Sequence, residues 1–315
     1  MLVLTRTEVE ELLDLDELRD ALARAHEELS DGRASLPPRI AALAGDAGLL
    51  GAMPGYLPST GLGCKLVSLF PGNVDRPTHQ AAIVLFDPAN GSPVALMDGT
   101  YITATRTAGA AALAADLLAR ADARVLAICG TGVQARSAVR AYAGIRDWRE
   151  IRFAGRDPAK AAELAHEVGA TAVSSFDQAL RGADVVHACT HSPDPIVRLE
   201  WLAPGTHVGS VGLNPAGSEL DPGVVDASLL VVESRESAFA PPPGGAPELA
   251  GRDPSAAVEL GEVVAGRAGR TGAGELTLYK SVGVAVQDLA AAALVLAAAR
   301  ERGAGMEIEL EEIPA

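Results

Sequence analysis

The pattern of apolar and polar positions changes texture along this 315-residue chain, and each texture predicts a different kind of element. Two stretches at helical spacing come first. TRTEVEELL opens on a Thr7-x-x-Glu10 capping pattern, and DLDELRDALARAHEELSDG predicts a second amphipathic helix stopped by Gly32. Over residues 37–97 the pattern shortens to the apolar runs LLGAMPGYL, GCKLVSLF, AAIVLFD and PVALMD, separated by Gly, Pro and Asn. The turn chemistry of DPANGSPV, residues 87–94, joins the last two, so this segment predicts an antiparallel sheet. An Ala-rich helix over residues 103–123 follows.

From residue 124 apolar runs alternate with helical stretches. RVLAIC predicts a buried strand, SAVRAYAGI a helix, EIRFAG (residues 150–155) a strand, and PAKAAELAHEVG a helix ended by Gly169. Further runs lie at residues 184–189, 207–211 and 229–233, and this alternation is what a doubly wound parallel sheet produces. Residues 240–253, rich in Pro and Gly, read as a loop. A second Ala-rich helix over residues 284–302 and a strand in MEIEL, residues 306–310, return the chain to its first part. The predicted class is α/β. A Rossmann doubly wound domain over 119–283 joins an α+β domain with a mainly antiparallel sheet, built from 1–118 and 284–315.

The chemistry concentrates at CGTGVQA. Gly130 suits a tight turn, Gly132 lets a backbone approach a diphosphate, and Ala135 permits close helix packing. An ordinary strand-turn-helix carries the same spacing. At the end of the second strand, where a carboxylate would take the ribose of NAD(H), the residues are Gly155, Arg156 and Asp157. Arg156 can pair with a 2′-phosphate, which favours NADP(H) over NAD(H). Asp157 can still reach a ribose, and Arg156 can be a solvated turn residue.

The net charge of −15 speaks against nucleic acid and anionic membranes. Its distribution says more. Residues 1–32 hold ten acids against three bases and residues 301–315 five against one, whereas residues 34–110 hold four of each. Arg39, Lys65, Arg76 and Arg106 therefore sit in an otherwise apolar region, as candidates for holding an anionic substrate. The three cysteines, Cys64, Cys129 and Cys189, have no metal-ligand spacing, and no metal site is expected. They read as reduced core thiols, and His187 as a hydrogen-bonded core residue. With no apolar run of membrane-spanning length and no secretion signal, a cytoplasmic protein is expected.

Several motifs coincide in order: GCKLVSLFPGN, THQAAIVLFDPANGSPVALMDG, ITATRTAGAAA, GTGVQA, ACTHS, VGLNPAGSELD and YKSVGVAVQD. Together they resemble the ornithine cyclodeaminase and mu-crystallin family. The resemblance implies a substrate and dimerisation domain joined to a Rossmann domain, and a homodimer. It implies that Arg39, Lys65 and Arg106 hold a substrate carboxylate near the nicotinamide, and that Thr131, Gly132, Val133 and Gln134 form the phosphate-binding turn. Gly155, Arg156 and Asp157 take its adenosine-ribose position, and Thr190, Ser192, Val211 and Ser281 are further cofactor contacts. Thr78, His79 and Gln80 are placed on a strand facing the nicotinamide, with Thr78 and Arg106 also touching the cofactor.

One departure separates activities within that family. Where cyclodeaminases carry an Asp that handles water and ammonia, this chain has Leu213 and Asn214. Leucine accepts no proton and Asn214 orients without acting as a base. The activity implied is NAD(P)H-dependent reduction of a small imine of an α-keto acid, with Lys65 or His79 assisting protonation. Amino-acid dehydrogenation or cyclodeamination of ornithine, lysine or alanine, and non-catalytic NADPH-dependent ligand binding, remain the alternatives. On residue grounds alone Lys65 and Arg106 are also readable as structural partners of Asp87 or Asp98, and Asp288 as a brace.

Overall fold

The structure is a computed structural model that describes residues 1–214, 216–241 and 244–310. Pro215 of the VGLNPAGSELD motif, residues 242–243 of the Pro-rich loop and residues 311–315 of the C-terminal segment lie outside it. The chain forms two compact units, Met1–Arg106 with Val284–Ala315, and Thr107–Gly283.

The first unit is built on a seven-stranded sheet. In chain order its strands are β1 (Leu2–Leu4), β2 (Ile40–Leu43), β3 (Leu49–Leu57), β4 (Gly61–Leu69), β5 (His79–Phe86) and β6 (Pro93–Asp98), with Met306–Glu307 added at the edge beside β1. Strands β2 to β6 run as an antiparallel meander, and β1 pairs with β6 in parallel. Alternation along β3 buries Gly51, Met53, Gly55 and Leu57. That face lies under the C-terminal helix Ala285–Arg302, which approaches so closely that a Cβ on Gly63 would stand 2.6 Å from Leu289 Cδ2.

Helix α1 (Arg6–Leu12) starts two residues earlier than the Thr7-x-x-Glu10 pattern predicts. Two Thr-x-x-Glu patterns overlap here, and the helix takes Thr5 with Glu8: Thr5 N donates to Glu8 Oε2 at 2.8 Å and Glu8 N to Thr5 Oγ1 at 3.4 Å. Thr7 lies inside the helix. Helix α2 (Leu15–Ser30) is capped by Asp14, whose carboxylate accepts from Asp16 N and Glu17 N. Helix α3 (Gly99–Leu118) begins directly off β6, because Asp98 accepts from Tyr101 N at 2.8 Å and caps its first turn. It occupies 99–118 instead of 103–123. Of MEIEL, Met306 and Glu307 pair with β1 and the rest form no strand.

The second unit holds an eight-stranded, all-parallel sheet. Its elements are β7 (Val125–Cys129), α4 (Val133–Ala143), β8 (Glu150–Ala154), α5 (Pro158–Val168), β9 (Thr171–Ala172), β10 (Val185–Ala188), β11 (His207–Ser210), β12 (Ser228–Val232), β13 (Val258–Glu259) and β14 (Leu276–Lys280). The order is β13-β12-β14-β11-β10-β7-β8-β9. Every residue of β7, β10 and β11 is buried, as a sheet covered on both faces requires. The order reverses between β7 and β10, and such a switch point opens a crevice beyond the carboxyl ends of the strands.

Buried histidines tie the core together and make it acid-sensitive. His187 Nδ1 lies 3.2 Å from the Tyr142 hydroxyl, and His207 Nδ1 lies 2.9 Å from Thr277 Oγ1. Burial lowers His187 to about 4 and His207 to about 3, and His26 of the first unit to about 3. The unfolded chain takes up protons at these groups from about pH 6.5 downward while the folded one does not, so stability falls as pH falls through that window. Each histidine contributes about 1.4 kcal/mol per pH unit there. Thermal unfolding followed from pH 7 to pH 5 is expected to show a steadily falling midpoint; a flat profile would contradict the neutral burial.

Candidate functional site

In the first unit, three elements bring one cationic cluster together. Lys65 projects from the middle of β4, opposite Met53 and Ile83, toward the helix-covered face; Arg106 lies on α3; Asp288 lies on the first turn of the C-terminal helix. Lys65 Nζ stands 2.7 Å from Asp288 Oδ2, and Arg106 Nε donates to Asp288 Oδ1 at 2.9 Å. All three are almost fully buried, with Lys65 2% and Arg106 3% exposed. One carboxylate thus faces two cations, which leaves the trio with a net positive charge under cover. A buried group of this sign suits an anionic ligand.

The network continues behind Arg106. Its Nη1 donates to Gln287 Oε1 at 2.7 Å, which turns the Gln287 amide nitrogen toward His26 Nε2 at 3.0 Å. Two of the Arg106 guanidinium nitrogens, Nε and Nη1, are thus committed to Asp288 and Gln287. Arg39, just before β2, is half-buried, and its charge acts on Lys65.

Electrostatics separate the two expected proton carriers. Burial lowers Lys65 to about 8, with the Asp288 carboxylate pulling upward and the Arg106 and Arg39 charges pushing down. His79, at the start of β5, is lowered to about 4 by burial and by the Lys65 and Arg106 charges. Near neutral pH Lys65 is mostly charged and His79 is neutral.

Several expected placements change. Arg76 is outside the cluster, exposed and paired with its neighbour Asp75 at 2.7 Å. Asp87 and Asp98 are not partners of Lys65 or Arg106: Asp87 accepts from Ala89 N in the β5–β6 turn, and Asp98 caps α3. Asp288, expected only as a brace, is the partner of both. Thr78 lies just before β5 and is exposed, and the period of two sends Gln80 to the opposite face from His79. Cys64 stays in keeping with its reading as a thiol, since burial pushes its pKa up.

In the second unit, the turn after β7 has the form a diphosphate needs. Gly130 has φ +137°, and a Cβ there would stand 2.7 Å from Cys189 Sγ. Gly132 caps α4 with no side-chain bond to its first-turn amides, and nothing lies within 4 Å of where its Cβ would be. That open space and those free amides fit a phosphate group. Thr131 packs against Gly155, where a Cβ would meet Thr131 Cγ2 at 2.6 Å; Val133 is 61% exposed, Gln134 is half-buried and Ala135 is buried. At the end of β8 Arg156 is exposed, while Asp157 caps α5 by accepting from Ala159 N at 3.0 Å.

Beyond the switch point, Thr190 and Ser192 follow β10, Val211 follows β11 and Ser281 follows β14. No sequence pattern marks strand β14, although its last residues belong to the YKSVGVAVQD motif. Five residues bounded by a Gly-rich loop and a helix offer too short a pattern to separate strand from loop. Asn214 is occupied at both ends of its amide, donating to His191 O and accepting from Ala216 N, both at 2.9 Å.

A sequence profile of the ornithine cyclodeaminase/mu-crystallin family matches residues 1–303. The chain belongs to this family. It is 40% identical over 272 residues to the ketimine reductase mu-crystallin of Mus musculus, covering 84% of this chain and 85% of that one. Among solved structures it is similar to the Thermococcus litoralis Δ1-pyrroline-2-carboxylate reductase in complex with NADH and L-proline, at 34% identity, a TM-score of 0.91, and 98% and 100% coverage. It is equally similar in fold to an archaeal alanine dehydrogenase dimer with bound NAD, at 32% identity, a TM-score of 0.91 and 99% coverage of each chain.

Proposed function

We propose that this family member is an NAD(P)H-dependent reductase of small imines derived from α-keto acids. The observation that carries the reading is the buried Lys65–Asp288–Arg106 cluster, whose excess positive charge suits an α-carboxylate. Arg39 adds a further cation from the β2 side. Clamping the carboxylate fixes the adjacent imine carbon, so orientation is set before reaction. Bound nicotinamide supplies the hydride. Lys65 is the better proton source for the imine nitrogen, because at about 8 it carries a proton at neutral pH that it can release, whereas His79 at about 4 has no ionic proton to give.

The reduction of Δ1-pyrroline-2-carboxylate named for the Thermococcus relative supports this class, and the mouse relative's name supports it independently. Cyclodeamination is disfavoured by Leu213 and by an Asn214 amide committed to its own loop. The test is a panel of cyclic imines and amino acids assayed with both cofactors. Oxidation of NAD(P)H by pyrroline- or piperideine-2-carboxylate is expected, with no ammonia from ornithine, lysine or alanine; ammonia release without imine reduction would overturn the reading.

For cofactor choice we favour NADP(H). Arg156 is exposed at the ribose position and Asp157 is engaged as a helix cap, which supports recognition of a 2′-phosphate. Arg156→Gln is expected to reduce the NADPH-over-NADH ratio of kcat/KM by about tenfold, the loss of one charge-assisted contact. An unchanged ratio would remove Arg156 from that role.

A homodimer is the proposed assembly. The face of the first unit's sheet opposite the C-terminal helix presents Leu50, Leu62 and Leu66, and β2 adds Ile40, which is 70% exposed. A row of exposed leucines on one sheet face supports a protein-binding surface there. Leu66→Glu is expected to shift the protein from dimer to monomer in light scattering; a parent protein that is itself monomeric would contradict the assembly.

A further inference from the structure

Two carboxylates that the proposed chemistry does not use are buried at the carboxyl ends of the parallel strands. Glu219 is 3% exposed and Glu233 is fully buried. Glu219 Oε2 accepts from Thr190 N at 2.8 Å and Thr190 Oγ1 at 2.7 Å, while Oε1 accepts from Ser210 Oγ at 2.8 Å and Gly212 N at 2.9 Å. Four donors from the segments after β10 and β11 therefore converge on one side chain. Glu233 does the same after β14, accepting from Ser281 Oγ at 2.5 Å and from Val282 N and Gly283 N at 2.9 Å each.

A third buried group joins the two strand ends. Lys280 Nζ lies 3.2 Å from Ser210 Oγ, 2.5 Å from Gly212 O and 2.8 Å from Glu248 Oε1. Packing around Glu219 leaves no slack: a Cβ on Gly212 would stand 2.2 Å from Thr190 O and 2.6 Å from Glu219 Oε1. Loops at strand ends are ordinarily the mobile part of such a sheet. In this sheet they are held by side chains that accept every bond they make, and at Glu219 a carboxamide would aim its NH2 at two of the four donors.

The strand order says which half of a dinucleotide this serves. Strand β8, with Gly155 to Asp157, lies on one side of the switch point and takes the adenosine; β10, β11 and β14 lie on the other. We propose that Glu219 and Glu233 are positioning residues that pre-form the nicotinamide-riboside half of the site by fixing the segments that carry Thr190, Val211 and Ser281. The proposal rests on the dinucleotide reading of the second unit. It goes beyond that reading in assigning two further acids, neither of which touches the cofactor.

The test compares NADH with ADP, which lacks the nicotinamide riboside, by calorimetry on the full-length protein and on Glu219→Gln. NADH affinity is expected to fall about tenfold or more while ADP affinity stays within about twofold, since the hydrogen bonds lost support one half of the ligand. The blue shift of bound NADH fluorescence should shrink in parallel. Equal weakening of both ligands, or of neither, would overturn the positioning role. A parent protein that binds neither NADH nor ADP would overturn the dinucleotide reading, and the proposal with it. Should Glu219→Gln not fold, Ser210→Ala removes one donor, leaves Lys280 paired with Glu248, and is read by the same two affinities with the same outcomes.

Discussion

Arg106→Met is expected to lower kcat/KM for a cyclic imino acid by about 10³-fold, or about 4 kcal/mol of transition-state stabilisation. The size follows from what one guanidinium does. Its Nε and Nη1 hold Asp288 and Gln287, so the guanidinium is held in one orientation, and losing the side chain removes both the proposed carboxylate contact and the geometry behind it. Arg106→Lys restores a charge but not the fork, because a single ammonium cannot hold both partners and still face outward. Steady-state kinetics should therefore show little recovery in the lysine variant. Recovery to within about threefold of the parent would mean that charge alone matters and that the guanidinium fork does not orient the substrate.

Asp288→Asn is expected to produce the largest change in stability. The carboxylate is fully buried between Lys65 and Arg106, and deleting one partner of a buried ionic group costs about 3–5 kcal/mol because the remaining charges lose compensation. Urea unfolding should register this as a lower midpoint. A second consequence is electrostatic. Asp288 raises the Lys65 pKa through its charge and its bond, so without it Lys65 drops below its value of about 8. In its proposed role Lys65 binds and protonates only in its charged form, so kcat/KM is expected to fall as pH rises through that value. The descending limb of the pH profile should therefore move to lower pH in Asp288→Asn, and a limb that stays in place would show that Lys65 does not set it.

Local chemistry explains which parts of the fold are legible in the sequence. The four long strands of the meander carry alternating apolar positions bounded by Gly, Pro and Asn, and β3, β4, β5 and β6 lie within two residues of where that pattern puts them. Strands β1, β9 and β13 are two or three residues long and pair with strands well separated in sequence, and β2 is a four-residue edge strand with all four residues exposed, so no local pattern announces them. The start of α1 is ambiguous in the sequence because Thr5-x-x-Glu8 and Thr7-x-x-Glu10 overlap, and the reciprocal Thr5–Glu8 bonds mark the one the helix takes.

The candidate site divides in the same way. Lys65 and Arg106 stand out as cations in apolar surroundings, but the acid that organises them lies 182 residues from Arg106 on the C-terminal helix. Its place on an Ala-rich helix makes it resemble a surface charge. Gln287 and His26 join only through the packing of α2 against that helix, a contact no spacing rule contains. Arg76 shows the opposite failure, since charge composition proposes it and its neighbour Asp75 claims it.

In the proposed reaction hydride is delivered to the carbon beside a clamped carboxylate. This delivery is tested most directly by incubating the protein with Δ1-pyrroline-2-carboxylate and cofactor dideuterated at nicotinamide C4, then determining the deuterium content of the product by NMR. Proline carrying one deuterium at Cα, formed in equal amount to the cofactor oxidised, is the expected result. Proline without deuterium at Cα, or no proline while the cofactor binds normally, would contradict it.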